Sequence, residues 1–202
     1  MSENFENDNE NNKIKIVLVG EVATGKTSLI NAYLGESFKK DLASTITPSV
    51  SQRKIKIRNN EYLVNIWDTV GQEQYRSLTK IFIKGSHVVI FVYDITNKET
   101  FNSLDFWVKS VEQFLGKEPI FGIVGNKTDL FEKQVVEREK GEKFAKENGA
   151  LFLETSAKDD AKGFRKFVHE LIEEFLDKKG IFKKEGERLS SIKPQKGKKC
   201  TC

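Results

Sequence analysis

Apolar residues recur along this chain with two alternating periods, and the changes of period mark the elements. Ile14, Ile16, Val17, Leu18 and Val19 form an apolar strand that stops at Gly20. A helix is predicted to start near Lys26 and run through Leu29, Ile30 and Tyr33. Residues 36–50 are polar and irregular. Ile55 and Ile57 alternate with Lys54, Lys56 and Arg58, Asn59-Asn60 reads as a hairpin turn, and Tyr62, Val64 and Ile66 lead a further strand into Trp67-Asp68. His87 to Tyr93 is a buried strand, and Phe101, Leu104, Val108, Val111, Phe114 and Leu115 follow helical spacing. Ile120 to Val124 is another strand, and a helix over about 136–147 precedes the strand Leu151 to Leu153. Phe164, Phe167, Val168, Leu171, Ile172, Phe175 and Leu176 then mark an amphipathic last helix. Strands alternating with helices predict an α/β fold. The expected sheet has six strands, mostly parallel, with one antiparallel edge strand from the hairpin and helices on both faces. Ligands of such sheets sit at the carboxyl ends of the strands.

Length and charge refine this picture. The 202 residues suit one domain with tails. The expected division is an acidic, Asn-rich extension over 1–12, a folded domain over 13–177 and a flexible basic tail over 178–202. Glu3, Glu6, Asp8 and Glu10 make the first segment purely acidic, whereas the last carries nine Lys or Arg against Glu185 and Glu187. The basic balance therefore belongs to the tail and not to a basic folded surface, which argues against a nucleic-acid partner. Met1 to Asn12 has neither a basic start nor an apolar stretch, so it does not read as a signal peptide, and the expected place is the cytosol or a cytosolic membrane face. The only cysteines, Cys200 and Cys202, lie within the last three residues, where a disulfide would brace no core and two thiols alone make a poor zinc site.

The chemistry gathers at strand ends. Gly20-Glu21-Val22-Ala23-Thr24-Gly25-Lys26-Thr27 matches G-x-x-x-x-G-K-[ST], after a predicted strand and at the start of a predicted helix. Its backbone N–H groups and the helix N-terminus would wrap phosphates, Lys26 would reach the β- and γ-phosphates, and the Thr27 hydroxyl would ligate Mg²⁺. Asp68-Thr69-Val70-Gly71 is a D-x-x-G at a strand end. Its carboxylate can hold Mg²⁺ through a water, and the Gly71 N–H can approach a γ-phosphate because no Cβ intervenes. Asn126-Lys127-Thr128-Asp129 follows another strand. Asp129 can accept from guanine N1–H and the 2-amino group, donors that adenine lacks, and an unpaired carboxylate would reject the wrong base. Asn126 and Lys127 would brace that pocket. Ser156-Ala157-Lys158 would set the Ala157 N–H against guanine O6.

These four motifs, in this order, resemble those of the Ras-superfamily small GTPases over residues 13–177. Trp67 to Glu73 and Tyr93-Asp94-Ile95-Thr96 resemble the Rab branch, and the ending Cys200-Thr201-Cys202 is similar to the Rab C-x-C prenylation signal. The resemblance implies a P-loop GTPase fold, with Ser28 beside Thr27 in the nucleotide site. It places Thr45 of the first switch on Mg²⁺ and the γ-phosphate, Phe38 on the guanine, and Gln72 where it orients the attacking water. It further implies GTP and GDP as ligands and geranylgeranyl groups on both cysteines. Exchange factors, activating proteins and effectors would act through switches 36–50 and 69–80, and a prenyl-binding carrier would shield the lipids. The protein would be a monomer acting in vesicle trafficking on the cytosolic face of membranes. Two lipid chains plus basic residues suffice for stable anchoring, and the ending is not C-a-a-X.

Two departures stand out. Val22 and Ala23 occupy positions where the family usually has Gly or a small polar residue, and commonly Gly. A branched side chain at Val22 would crowd the place where Gln72 and an activating arginine must fit, so slow hydrolysis is expected. In the first switch Thr47-Pro48-Ser49-Val50 replaces the usual Gly and aromatic, so the patch of Val50, Trp67 and Phe82 lacks an aromatic that effectors of the branch read. Rival readings are a GTP-bound scaffold that scarcely hydrolyses, and a P-loop kinase or ATPase, against which Asn126-Lys127-Thr128-Asp129 argues.

Overall fold

The computed structural model describes residues 12–39, 49–69 and 81–180. The elements are β1 (Lys13–Val19), α1 (Lys26–Leu34), β2 (Ser49–Ile57), β3 (Asn60–Asp68), β4 (Val88–Asp94), α2 (Lys98–Asn102), α3 (Leu104–Leu115), β5 (Ile120–Asn126), a 3-10 helix (Thr128–Lys133), α4 (Arg138–Glu147), β6 (Leu151–Glu154) and α5 (Ala161–Lys178). Expectations for Thr45, Gly71, Gln72, Cys200, Cys202, the extension before Asn12 and the tail beyond Gly180 lie outside the described residues.

The sheet runs β2-β3-β1-β4-β5-β6. Only β2 and β3 pair antiparallel, and every other pairing is parallel. This is the mostly parallel six-stranded sheet with one antiparallel edge strand that the periodicity predicts. Because β4 and β5 are buried along their whole length, their sequences read as continuous apolar runs and not as alternation. Alternate side chains of β1 and β4 feed two cores. Ile14, Ile16, Leu18, Ile90 and Val92 pack with α1 and α5, whereas Val17, Val19, Val89, Phe91 and Tyr93 pack with α3 and α4. All seven periodic residues of α5 are buried, and each large one contributes about 1.5–3 kcal/mol of transfer free energy. Gly122 lets this helix come close: a Cβ there would lie 2.9 Å from Leu171 Cδ1 and 3.1 Å from Phe167 Cε1.

Three local expectations need correction. The hairpin turns at Arg58-Asn59, and Asn60 already pairs with Ile57. Arg58 takes the left-handed φ of 51° while its guanidinium grips the Asp177 carboxylate at 2.9 and 3.1 Å. A contact 119 residues away thus accompanies a backbone conformation that local propensity disfavours. The helical run from Phe101 to Leu115 is two helices meeting at Ser103. Thr100 holds α2 to the end of β4, donating to Asn97 O and accepting from the Asp94 N–H. Phe114, counted in the apolar face, is exposed. Residues 136 and 137 precede the α4 helix, and Val136 is buried with its N–H on Ile95 O.

Candidate nucleotide and metal site

The loop between β1 and α1 is shaped by close backbone approach. Gly20 lies against β4, where a Cβ would fall 2.2 Å from Val92 O. Gly25 has φ +91°, and a Cβ there would fall 2.3 Å from Asn126 Nδ2. Ala23 keeps a left-handed φ of 61° although it carries a Cβ. Thr24 is fully buried, and its hydroxyl donates to Glu21 O at 3.0 Å. Val22 stands 45% exposed.

Lys26 opens α1 and folds back into the loop, donating from Nζ to Gly20 O and Glu21 O, each at 2.8 Å. Burial pushes its pKa down to about 8, against the opposing pull of Asp68 and Glu21. The first peptide N–H groups of α1, which lack intrahelical acceptors, face the same end. A buried ammonium beside such donors is suited to a polyanion.

Thr27 and Asp68 meet across 41 residues of sequence, the Thr27 hydroxyl donating to Asp68 Oδ2 at 2.6 Å. Ser28, half-buried, follows in the first turn. Thr69, buried, donates to Leu18 O at 2.6 Å and fixes the chain leaving β3. A hydroxyl and a carboxylate side by side are the hard oxygen donors that Mg²⁺ takes, with waters and phosphate completing the shell. Among the described residues no cluster of three His, Cys, Asp or Glu could form an all-protein cage. The residues present therefore fit Mg²⁺ held with substrate phosphates.

The loops after β5 and β6 close the other side. Asn126, 1% exposed, donates from Nδ2 to Thr24 O at 2.9 Å and accepts from the Ala157 N–H at 3.0 Å. The Ala157 N–H, expected to face guanine O6, is thus engaged by Asn126. Ser156 Oγ donates to Asp129 Oδ1 at 2.7 Å and accepts from the N–H groups of Lys158 and Asp159. Lys127 has φ +75°, and its Nζ lies 2.7 Å from Asp94 Oδ2. Lys158 is exposed, and Phe38, just beyond α1, is 44% exposed. The structure thus gathers Gly20 to Thr27, Asp68, Asn126 to Asp129 and Ser156-Ala157 at the carboxyl ends of β1, β3, β5 and β6.

Sequence reasoning missed several residues that hold this site. Asp94 orients Lys127 and accepts from the Thr96 N–H and hydroxyl at 2.8 and 2.7 Å. The Tyr93-Asp94-Ile95-Thr96 motif was the available signal. Arg165 donates to Ala32 O at 3.1 Å and Arg53 donates to Tyr33 O, so two guanidiniums hold the last turn of α1. No local pattern announces either contact. Away from the nucleotide loops, Val50 and Trp67 are cross-strand partners and Trp67 lies 6.1 Å from Phe82, so the three patch residues adjoin.

A model of the Ras family matches residues 15–177. Ras-related protein Rab-18-B of Danio rerio is 35% identical over 192 residues, 93% of each chain. Ras-related protein Rab-18 of Lymnaea stagnalis is 34% identical over 193 residues, covering 94% of this chain and 95% of that one. The match takes in all four motifs and nearly all of the sheet that positions them, and the chain belongs to the Ras family as a small GTPase of the Rab type.

Proposed function

We propose that this protein is a membrane-recruited switch that binds GTP or GDP with Mg²⁺ and hydrolyses GTP slowly. The observation that carries this is the Asn126 side chain, which joins the phosphate-loop carbonyl of Thr24 to the Ala157 N–H of the base loop. Phosphate-binding and base-binding elements are thereby held as one site. In this reading Lys26 draws the phosphate oxygens, Thr27 and Asp68 hold Mg²⁺ together with Thr45, and the Gly71 N–H meets the γ-phosphate. Asp129 reads the guanine edge, with Ser156 fixing one of its oxygens, and Phe38 covers the ring. Mg²⁺, when bound, supplies neutralisation of phosphate charge. Gln72 orients water for attack.

Val22 lies beside that attack path in this reading, and a branched side chain there would crowd Gln72 and slow turnover. The extreme form of the same idea is a scaffold that stays GTP-bound and scarcely hydrolyses. Nucleotide state would order switches 36–50 and 69–80, and with them the surface near Val50, Trp67 and Phe82, for exchange factors, activating proteins and effectors. Residues 13–177 form the switch domain in this scheme, residues 1–12 an acidic extension, and 178–202 a basic tether carrying geranylgeranyl groups on Cys200 and Cys202. A prenyl-binding carrier would hold a cytosolic pool of the monomer, and the membrane-bound pool would serve vesicle trafficking. Among the described residues no helix is long and apolar enough to cross a membrane, so attachment in this reading rests on the lipids.

Competition decides the base. Fluorescent GDP bound to the protein should be displaced by GDP at least about 10³-fold more effectively than by ADP, and Asp129→Ala should erase most of that ratio. Equal displacement by ADP would favour an ATPase or kinase and overturn the reading.

A further inference from the structure

The loop over residues 155–160, between β6 and α5, is closed by one carboxylate. Thr155 follows directly on β6 and is buried. Its N–H donates to Gly125 O at 2.9 Å, and its carbonyl accepts the Thr128 N–H at 3.2 Å. Thr155 therefore ties the end of β6 both to β5 and to the segment that carries Asp129. Its hydroxyl reaches forward to Asp160, donating to Oδ2 at 3.1 Å, with the Asp160 carbonyl at 3.3 Å.

Asp160 is also the N-cap of α5, where Oδ1 accepts the Gly163 N–H at 2.9 Å. Capping alone needs one acceptor oxygen, which a serine supplies equally well. The second oxygen goes to Thr155. Gly163 leaves room for it: a Cβ there would fall 2.1 Å from Asp160 Oδ2 and 2.7 Å from its Cγ. Glycine is otherwise a poor residue inside a helix. The Asp160 N–H closes the loop on Ser156 O at 2.8 Å. Inside this clamp lie Ser156, whose hydroxyl fixes Asp129 Oδ1, and Ala157, whose N–H meets Asn126 Oδ1.

Building on the nucleotide-binding reading, we propose that Asp160 is a positioning residue for base recognition: its carboxylate bridges the Thr155 hydroxyl and the first turn of α5, and so sets where Ser156 presents Asp129 to the base.

The test is displacement of fluorescent GDP from the full chain in Mg²⁺ by GDP and by ADP. The proteins are wild type, Asp160→Ser, Thr155→Val, the double variant of these two, and Gly163→Ala. Asp160→Ser keeps a cap on α5, but its single oxygen cannot serve both partners. It should cut the preference for GDP over ADP about three- to tenfold, the scale of a lost hydrogen bond to a charged group. Displacement by ADP should stay as in wild type, because the phosphate contacts are untouched. Thr155→Val keeps the side-chain shape and removes the donor, and should cut the preference by a similar factor. The double variant should be no worse than the worse single, as one shared interaction requires. Gly163→Ala raises helix propensity, yet should lower the preference too, because the carboxylate must leave Thr155. A residue that merely caps α5 predicts wild-type preference in Asp160→Ser, or equal loss toward both nucleotides, and either result overturns the proposal. Additive losses in the double variant overturn it as well. Should Asp160→Ser not fold, wild-type preference in both Thr155→Val and Gly163→Ala overturns it. Failure of wild type to prefer GDP over ADP would instead sink the nucleotide reading beneath it.

Discussion

Asn126 and Thr24 stand 102 residues apart, and the Asn126 amide donates to the Thr24 carbonyl at 2.9 Å from a fully buried position. The same side chain accepts the Ala157 N–H. Removing it would strand two buried backbone groups at about 1–3 kcal/mol each. Asn126→Ala should therefore lose about 2–4 kcal/mol of stability in chemical denaturation, and at least about 10²-fold in GDP affinity by calorimetry. A variant that loses stability but binds GDP normally would show that the bridge supports the fold alone.

Gly25 and Ala23 both sit at positive φ in one loop, yet they should respond oppositely to exchange. Gly25→Ala adds a Cβ 2.3 Å from Asn126 Nδ2. It should cost about 2–4 kcal/mol and abolish tight GDP binding. At Ala23 the left-handed penalty of about 1 kcal/mol is opposed by the extra freedom glycine has when unfolded, about 0.4–1 kcal/mol. Ala23→Gly should then move stability by no more than about 0.5 kcal/mol, read from the denaturation midpoint.

Val22 is the residue on which the proposed slow turnover turns. In single-turnover hydrolysis of preloaded GTP, Val22→Gly should be about tenfold faster than wild type or more, and wild type should resemble Gln72→Leu. If wild type already matches Val22→Gly and both exceed Gln72→Leu, the branched side chain is harmless and the protein cycles at an ordinary rate.

Acid should weaken the fold through histidine. His87 Nδ1 accepts the Lys15 N–H at 2.9 Å, and the ring stacks on Phe175 at 4.7 Å. Burial, then the Lys179 and Lys15 charges, hold its pKa below the usual 6.5. Burial, with Arg53 adding to it and Glu173 opposing, lowers His169 as well. A lowered folded pKa means that the unfolded chain binds more protons. The stabilisation is complete above the unfolded pKa near 6.5 and is lost as pH falls from there toward the folded value. Denaturation midpoints should drop as pH falls below about 6.5. The drop should shrink in His87→Asn, which keeps an acceptor without titrating. An unchanged slope would assign the effect to other groups.

Much of this protein is written in local pattern. Continuous apolar runs mark β4 and β5 because parallel strands are buried on both sides, and the 3.6-residue repeat from Phe164 to Leu176 marks α5 because one face of that helix meets the sheet. The loop motifs are legible for a related reason: the spacing of Gly20, Gly25, Lys26 and Thr27 is set by the geometry of one turn between one strand and one helix, so the chemistry is encoded over eight residues. Other features needed the folded chain. The turn at Arg58-Asn59 goes with the grip of Arg58 on Asp177, and α2 separates from α3 where Thr100 is tied to the end of β4. The partnerships of Asn126 with Thr24, Lys127 with Asp94 and Trp107 with Glu21 join residues 102, 33 and 86 positions apart. Periodicity reports which face of an element is buried, whereas the partner of a buried polar group is set by how strands and helices are placed against one another, and only the tertiary structure decides that.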